Sequence, residues 1–333
     1  MFVVGIIAAA SKYSITYSPV TQAAPLRITG YEPTGGGKYP VVLFLHGTGI
    51  DPSAAELTTE ALKYLPALER GPTEHLPVCG FIFALVQYPR FDEYEPNCDY
   101  FTDKAKAMFT DSGNALEAIC SRPKADCSKG VGVAGISQGV HLAGITPTLP
   151  GLAHTITAVL QISGGTKNTY AEGLGAPVSE FDCLADAAVS PHLPRSKRLS
   201  IISGADEVFG ETVDEILRQQ KAMSGYDCGA DLDCIQPDGS GYHIIDPAFG
   251  VRHSDTPLFI APGNEPWSLA SRIEWLMLAA YNPPPSPFWY NPLPAQCRPG
   301  VQSIPQQIFL KVLSPVLDPR QIQIQIQDLD LIL

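Results

Sequence analysis

Ser137 stands in Gly135-Ile136-Ser137-Gln138-Gly139, directly after the apolar run Val131-Gly132-Val133-Ala134 and ahead of a helical pattern. A serine on a sharp strand-to-helix turn holds strained backbone angles, and bulky neighbours collide there, which accounts for the two glycines. Such a turn lifts the hydroxyl to the carboxyl end of a sheet, beside a helix N-terminus that favours a developing negative charge. The chemistry on offer is nucleophilic attack on a carbonyl. A second cluster, His46-Gly47-Thr48-Gly49, follows another apolar run that ends at Leu45. Its small residues leave backbone N–H groups able to point into a site, while a plain strand-end turn is the simpler alternative.

Both clusters need strands to carry them. Short apolar runs alternate with longer helix-patterned segments, which implies an α/β fold with a mostly parallel central sheet and helices on both faces. Tyr13 to Tyr17 and Leu26 to Tyr31 read as an opening antiparallel pair. Tyr39 to His46, Gly80 to Val86, Val131 to Ile136, Ile156 to Ile162, Leu199 to Ser203 and Tyr242 to Ile245 read as buried strands. Helices are expected after Ser53, over Thr102 to Ser121 with a weak point at Gly113, from Ser137, over Glu211 to Met223, and over Trp267 to Tyr281. Residues 165–197, rich in Gly, Pro and Ala, read as a small lid or wandering loop.

With these motifs the sequence resembles the α/β-hydrolase superfamily from about residue 13 to 281. In that superfamily a His-Gly-x-x turn after the third strand supplies one oxyanion donor. The resemblance therefore implies that the amides of Thr48 and Gln138 hold the oxyanion. It also implies the order nucleophile, acid, histidine. Asp206, in Ser203-Gly204-Ala205-Asp206-Glu207, falls at the turn after the strand that follows the lid, with Glu207 as its rival. The base belongs in the loop between the last strand and the last helix. His253 lies in that loop, whereas His243 lies within the strand pattern and remains the alternative base. His141, one helical turn beyond Ser137, reads as a packing residue under the turn, and His46 as a structural hydrogen-bonder. His75, His154 and His192 have no supporting context.

The reading that follows is a serine hydrolase cleaving a carboxylic ester through an acyl-enzyme, with no cofactor and no metal. Acyl transfer and peptidase or amidase action use the same residues, and a catalytically inactive binding protein on the same fold is the third possibility.

Composition narrows the setting. The 333-residue chain is 45% hydrophobic, so a sizeable core is available, and its formal net charge of -12 disfavours a nucleic-acid partner. The densest basic stretch, Arg195, Lys197 and Arg198, reads as a solvated strand entrance. No apolar run reaches the ~20 residues a membrane span needs. Among 8 cysteines, Cys120 with Cys127 and Cys228 with Cys234 bracket polar turns suited to small disulfide loops, and their spacing does not suit a zinc knuckle. Residues 1–12 suit a signal peptide except for the missing basic start, so an extracytoplasmic setting is favoured over the cytoplasm. Residues 283–333 open on Pro283-Pro284-Pro285 and end in the alternating Gln321-to-Gln327 run, an extension readable as an edge strand or a disordered tail. The oligomeric state is not encoded legibly.

Overall fold

Strict burial on both faces shapes the centre of the molecule. In the computed structural model the described residues are 10–33, 36–47, 81–88, 97–128, 130–152, 154–168, 179–186, 192–256, 272, 275–276 and 279–280. The opening strands β1 (Ala10–Tyr17) and β2 (Leu26–Pro33) form an antiparallel pair, so residues 10–12 of the N-terminal stretch belong to the sheet. The strands β3 (Val41–Leu45) and β4 (Ile82–Val86) are buried along their whole length. Along β3, Val41, Leu43 and Leu45 enter one core while Val42 and Phe44 enter the other, as the two-residue period of a strand requires.

The expected single helix over 102–121 is two helices, α1 (Cys98–Phe109) and α2 (Ala115–Cys120). Gly113 adopts φ +75° against the Ser18 carbonyl, where an added Cβ would lie 2.4 Å from the oxygen. The Ser18 and Val20 N–H groups take the carbonyls of Gly113 and Ser112. Asn114 then starts α2 by accepting from the Glu117 N–H, and Glu117 reaches back to the Gly113 N–H, a reciprocal cap.

Next come β5 (Val131–Ile136), α3 (Gln138–Ile145) and β6 (Ile156–Ile162). The 165–197 segment is not merely a wandering loop where it is described. It contains the two-residue strands β7 (Lys167–Asn168) and β8 (Ser179–Glu180), paired antiparallel, and buries Phe181, Leu184 and Leu193. The closing elements are β9 (Arg198–Ser203), α4 (Val213–Ser224), β10 (Asp233–Ile235) and β11 (Gly241–Ile245). Thr212 caps α4, and Gly225 ends it in the left-handed conformation. The short β10 was not foreseen. It is an antiparallel edge strand fixed by a disulfide.

The nine-stranded sheet has the order β1-β2-β4-β3-β5-β6-β9-β11-β10. Every pairing from β4 through β11 is parallel. One face is covered by α1, α2 and α3 through Phe101, Met108, Ile119 and Leu142. The other is covered by helical positions Trp275, Leu276 and Ala280, the last two closing on Gly132 of β5. Residues 1–9, the helix expected after Ser53, most of 267–281 and all of 283–333 lie outside the described residues.

Among the described residues, three disulfides link Cys98 to Cys183, Cys120 to Cys127 and Cys228 to Cys234. Of the basic stretch, Arg195 is exposed as expected, but Arg198 departs from the expected solvated state. Arg198 is 2% exposed and pairs with Asp186 at 2.6 Å, donating also to the Leu193 carbonyl, while Lys197 donates to the Ala279 carbonyl. A guanidinium with several donors can be buried where its partners surround it. No helix among the described residues is long and apolar enough to cross a membrane.

Candidate active site

Ser137 joins β5 to α3 at φ 52° and ψ −120°, angles that an L side chain rarely holds. Its glycine neighbours explain how the turn closes. A Cβ on Gly135 would sit 2.1 Å from the Gly139 carbonyl oxygen, and one on Gly139 would sit 2.3 Å from the Leu45 oxygen. Gly47 packs directly against the serine, since its added Cβ would lie 3.1 Å from Ser137 Cβ. The turn after β3 is thereby pressed against the turn after β5. Strand register does the rest: the Ser137 N–H donates to the Ile162 carbonyl of the neighbouring β6.

The strand ends further along the sheet supply the other groups. Asp206, fully buried after β9, accepts from the Val208 and Phe209 N–H groups through Oδ1 at 3.0 and 3.1 Å. Its Oδ2 lies 2.8 Å from His253 Nδ1. His253 Nε2 lies 2.8 Å from Ser137 Oγ. These contacts set the tautomer: Nδ1–H faces the carboxylate, leaving Nε2 to accept the serine proton. Ser137, His253 and Asp206 thus form one continuous line of hydrogen bonds although 116 residues separate the first two in sequence.

The loops bearing the acid and the imidazole are fastened to each other. Ser203 Oγ donates to the Val251 carbonyl at 2.5 Å, and Glu207 accepts the His253 backbone N–H at 3.1 Å. Glu207, the rival acid, therefore holds the histidine loop by its backbone. The Phe209 ring lies 5.4 Å from the imidazole. His253 retains limited exposure (15%), while the Asp206 carboxylate behind it is fully buried.

The remaining histidines fall elsewhere. His243 lies in β11, 2% exposed, with Nδ1 3.2 Å from Asp233 Oδ1 on the neighbouring β10, and it is not brought to Ser137. Burial lowers its pKa, opposed by Asp233, whose own carboxyl is lowered by the hydrogen bond to His243. His141 is enclosed by Phe101, stacked at 4.5 Å, and Phe181, edge-on at 4.2 Å, and burial brings its pKa down to about 3. His46 donates through Nδ1–H to the Gly47 carbonyl, 2.8 Å away, and burial brings its pKa down to about 4. His154 and His192 are exposed. His75 and Thr48 lie outside the described residues, so of the two expected oxyanion amides only Gln138, first residue of α3, is described.

Sequence reasoning passed over Tyr88, which follows β4 and places its hydroxyl 2.6 Å from the His46 carbonyl oxygen. Its place after a buried strand on the same side as Ser137 was the available signal. It also passed over Ser203 and the Cys98–Cys183 link, which are visible only once distant loops meet.

A mostly parallel sheet of this order, with a Gly-x-Ser-x-Gly turn after β5, is the α/β-hydrolase fold. No family model matches the chain, and no curated protein matches it in sequence. Among solved structures, it is similar to a cold-adapted esterase from an Arctic intertidal metagenomic library at 14% identity, covering 82% of this chain and 95% of that one, with a TM-score of 0.49. An esterase from Pyrobaculum calidifontis is similar at 16% identity, 81% and 84% coverage and a TM-score of 0.49. An S-formylglutathione hydrolase from Agrobacterium tumefaciens is similar at 14% identity, 82% and 96% coverage and a TM-score of 0.47. The reading of the chemistry rests on this chain's own side chains.

Proposed function

We propose that the protein is a serine hydrolase that cleaves a carboxylic ester of a small molecule through an acyl-enzyme. The observation that carries this reading is the pair of 2.8 Å contacts that His253 makes with Ser137 and Asp206. His253 Nε2 takes the Ser137 proton as Oγ bonds to the ester carbonyl carbon. Asp206 holds the imidazole in the required tautomer and offsets the imidazolium charge that forms. The Gln138 amide, at the start of α3, and the Thr48 amide serve as oxyanion donors. When the tetrahedral intermediate collapses, the carbon–oxygen bond to the alcohol breaks and the imidazolium returns the proton to the leaving alkoxide. Water, deprotonated by the same imidazole, then attacks the acyl carbon and releases the acid and Ser137.

The disulfides among the described residues support an oxidising, extracytoplasmic setting, where such bonds persist. The test is covalent labelling with a fluorophosphonate, followed by hydrolysis of acyl esters graded by chain length with one amide included. Wild-type protein is expected to label and Ser137→Ala to stay unlabelled. Wild-type protein that stays inert under conditions that label a control esterase overturns the reading. Amide turnover equal to ester turnover overturns the ester assignment.

A further inference from the structure

Tyr88 occupies the ground between the two turns that meet at Ser137. Its phenol is fully enclosed, and burial raises its pKa well above the ordinary value, so it is a neutral O–H donor at any physiological pH. The hydroxyl donates to the His46 carbonyl at 2.6 Å and lies 3.4 Å from the Gly47 carbonyl. It also lies 3.3 Å from the side-chain amide of Gln138. The ring stacks on His46, with centroids 4.1 Å apart and planes 11° apart.

A phenol has one proton, and the 2.6 Å bond to His46 takes it. The Gln138 contact then needs a donor on the glutamine side. The glutamine oxygen Oε1 lies toward the phenol, and a flip of the side-chain amide turns Nε2–H toward the phenol oxygen instead. The resulting chain runs from Gln138 Nε2–H to the Tyr88 oxygen, and from the Tyr88 O–H to the His46 carbonyl. One end sits on the residue after Ser137 and the other on the turn after β3.

The direction of the turn's peptide groups is what this chain fixes. The His46 carbonyl is held by Tyr88, and the Gly47 carbonyl is held by His46 Nδ1. A trans peptide is planar with its N–H opposite its C=O, so a held carbonyl fixes the direction of the amide in the same unit. The His46 carbonyl, held by Tyr88, shares its unit with the Gly47 amide, and Gly47 packs directly against Ser137. From these contacts we infer that Tyr88 is a positioning residue for oxyanion stabilisation, locking the turn after β3 and the first residue of α3 into one mutual geometry. It touches no reacting atom. The inference rests on the serine-hydrolase reading above.

Tyr88→Phe tests it, because the ring and its stacking on His46 remain and only the hydroxyl goes. Complete loss of an oxyanion donor typically costs about 10²- to 10³-fold in kcat, and a donor that is present but misaligned costs less. The expected result for Tyr88→Phe is a fall of about 10- to 100-fold in kcat with KM within about twofold. The inhibition constant of a trifluoromethyl ketone, which forms the tetrahedral adduct, should rise by a similar factor. A residue that merely supports folding would not separate the adduct from the ground state in this way. Gln138→Met provides a second variant if Tyr88→Phe is insoluble, with a shift in the same direction expected. If wild-type protein labels with a fluorophosphonate and the soluble variant keeps wild-type kcat and inhibitor affinity, the positioning role is overturned while the catalytic reading stands. If wild-type protein does not label, both are overturned.

Discussion

Asp206→Asn isolates the electrostatic part of the proposed triad from its structural part. In the native site Oδ1 accepts two backbone N–H groups and Oδ2 faces His253 Nδ1. An asparagine keeps an acceptor oxygen for Val208 and Phe209, so the turn survives. Its NH₂ group, however, meets Nδ1 and requires that nitrogen to accept. The imidazole proton then moves to Nε2, facing Ser137 Oγ, and the base is lost. In triads of this kind the wrong tautomer costs about 10⁴-fold in kcat, or about 5.5 kcal/mol at 1.36 kcal/mol per tenfold. Asp206→Ala adds a stability cost, because it leaves the Val208 N–H, the Phe209 N–H and the His253 Nδ1–H without their acceptor. At about 1–3 kcal/mol for each of these three donors, the expected destabilisation is about 3–9 kcal/mol. The assay pairs kcat on a p-nitrophenyl ester with urea unfolding of both variants. An Asp206→Asn enzyme within tenfold of wild-type kcat would refute the tautomer argument. Equal urea midpoints for the two variants would refute the account of the buried turn.

Three further outcomes follow from the same geometry. His243→Ala should retain kcat within about threefold and lose about 1–3 kcal/mol of stability, since His243 faces Asp233 across the edge hairpin and not Ser137; a folded variant without activity contradicts this. Acid should destabilise the fold through His46 and His141, whose native pKa values are lowered by burial to about 4 and about 3. Below the unfolded pKa of about 6.5 the unfolded chain binds protons that the native state refuses, so stability is full above that pH and falls through pH 5 by about 2–4 kcal/mol in total. A urea midpoint unchanged between pH 7.5 and pH 5 would contradict it. Replacing both Cys98 and Cys183 by serine should cost more than replacing Cys120 and Cys127. The sequence separations are 85 and 7, giving about 4–5 against about 2–3 kcal/mol from loop closure; differential scanning calorimetry that ranks the pairs the other way counts against the chain-entropy account.

Much of the frame was readable because the central strands are continuous apolar runs bounded by Gly, Pro or charged turns. Val131–Ile136 and Ile156–Ile162 begin and end where that pattern places them. The break between α1 and α2 was only half readable. Gly113 marks the weak point, but the break depends on Ser18 and Val20 arriving from another part of the chain to take its carbonyls. The β10 strand has three residues and no alternation to announce it, and a disulfide ties it to the loop that precedes it. Arg198 gives the clearest misreading. Three basic residues within four positions suggest solvent, yet the local pattern cannot show that Asp186 waits beneath Arg198. At the candidate site, loop position distinguished His253 from His243, since a strand-interior histidine in a buried run has both faces covered. Tyr88 and Ser203 carried no such mark, because their partners are backbone carbonyls in loops far along the chain.

The backbone at Ser137 also constrains how this position can drift over evolutionary time. At φ 52° a threonine, the nearest chemical relative, adds a second substituent on Cβ where even one is crowded. Cysteine adds none, so the proposed nucleophile has one isosteric neighbour in mutation space rather than two. Glycine relieves the turn, with a gain of about 1–3 kcal/mol from the released strain. Without selection for the proposed catalysis, stability alone pulls this site toward glycine. A descendant retained only for binding should bear that substitution first, while the glycines at 135 and 139, which answer to packing against backbone oxygens, should outlast the chemistry.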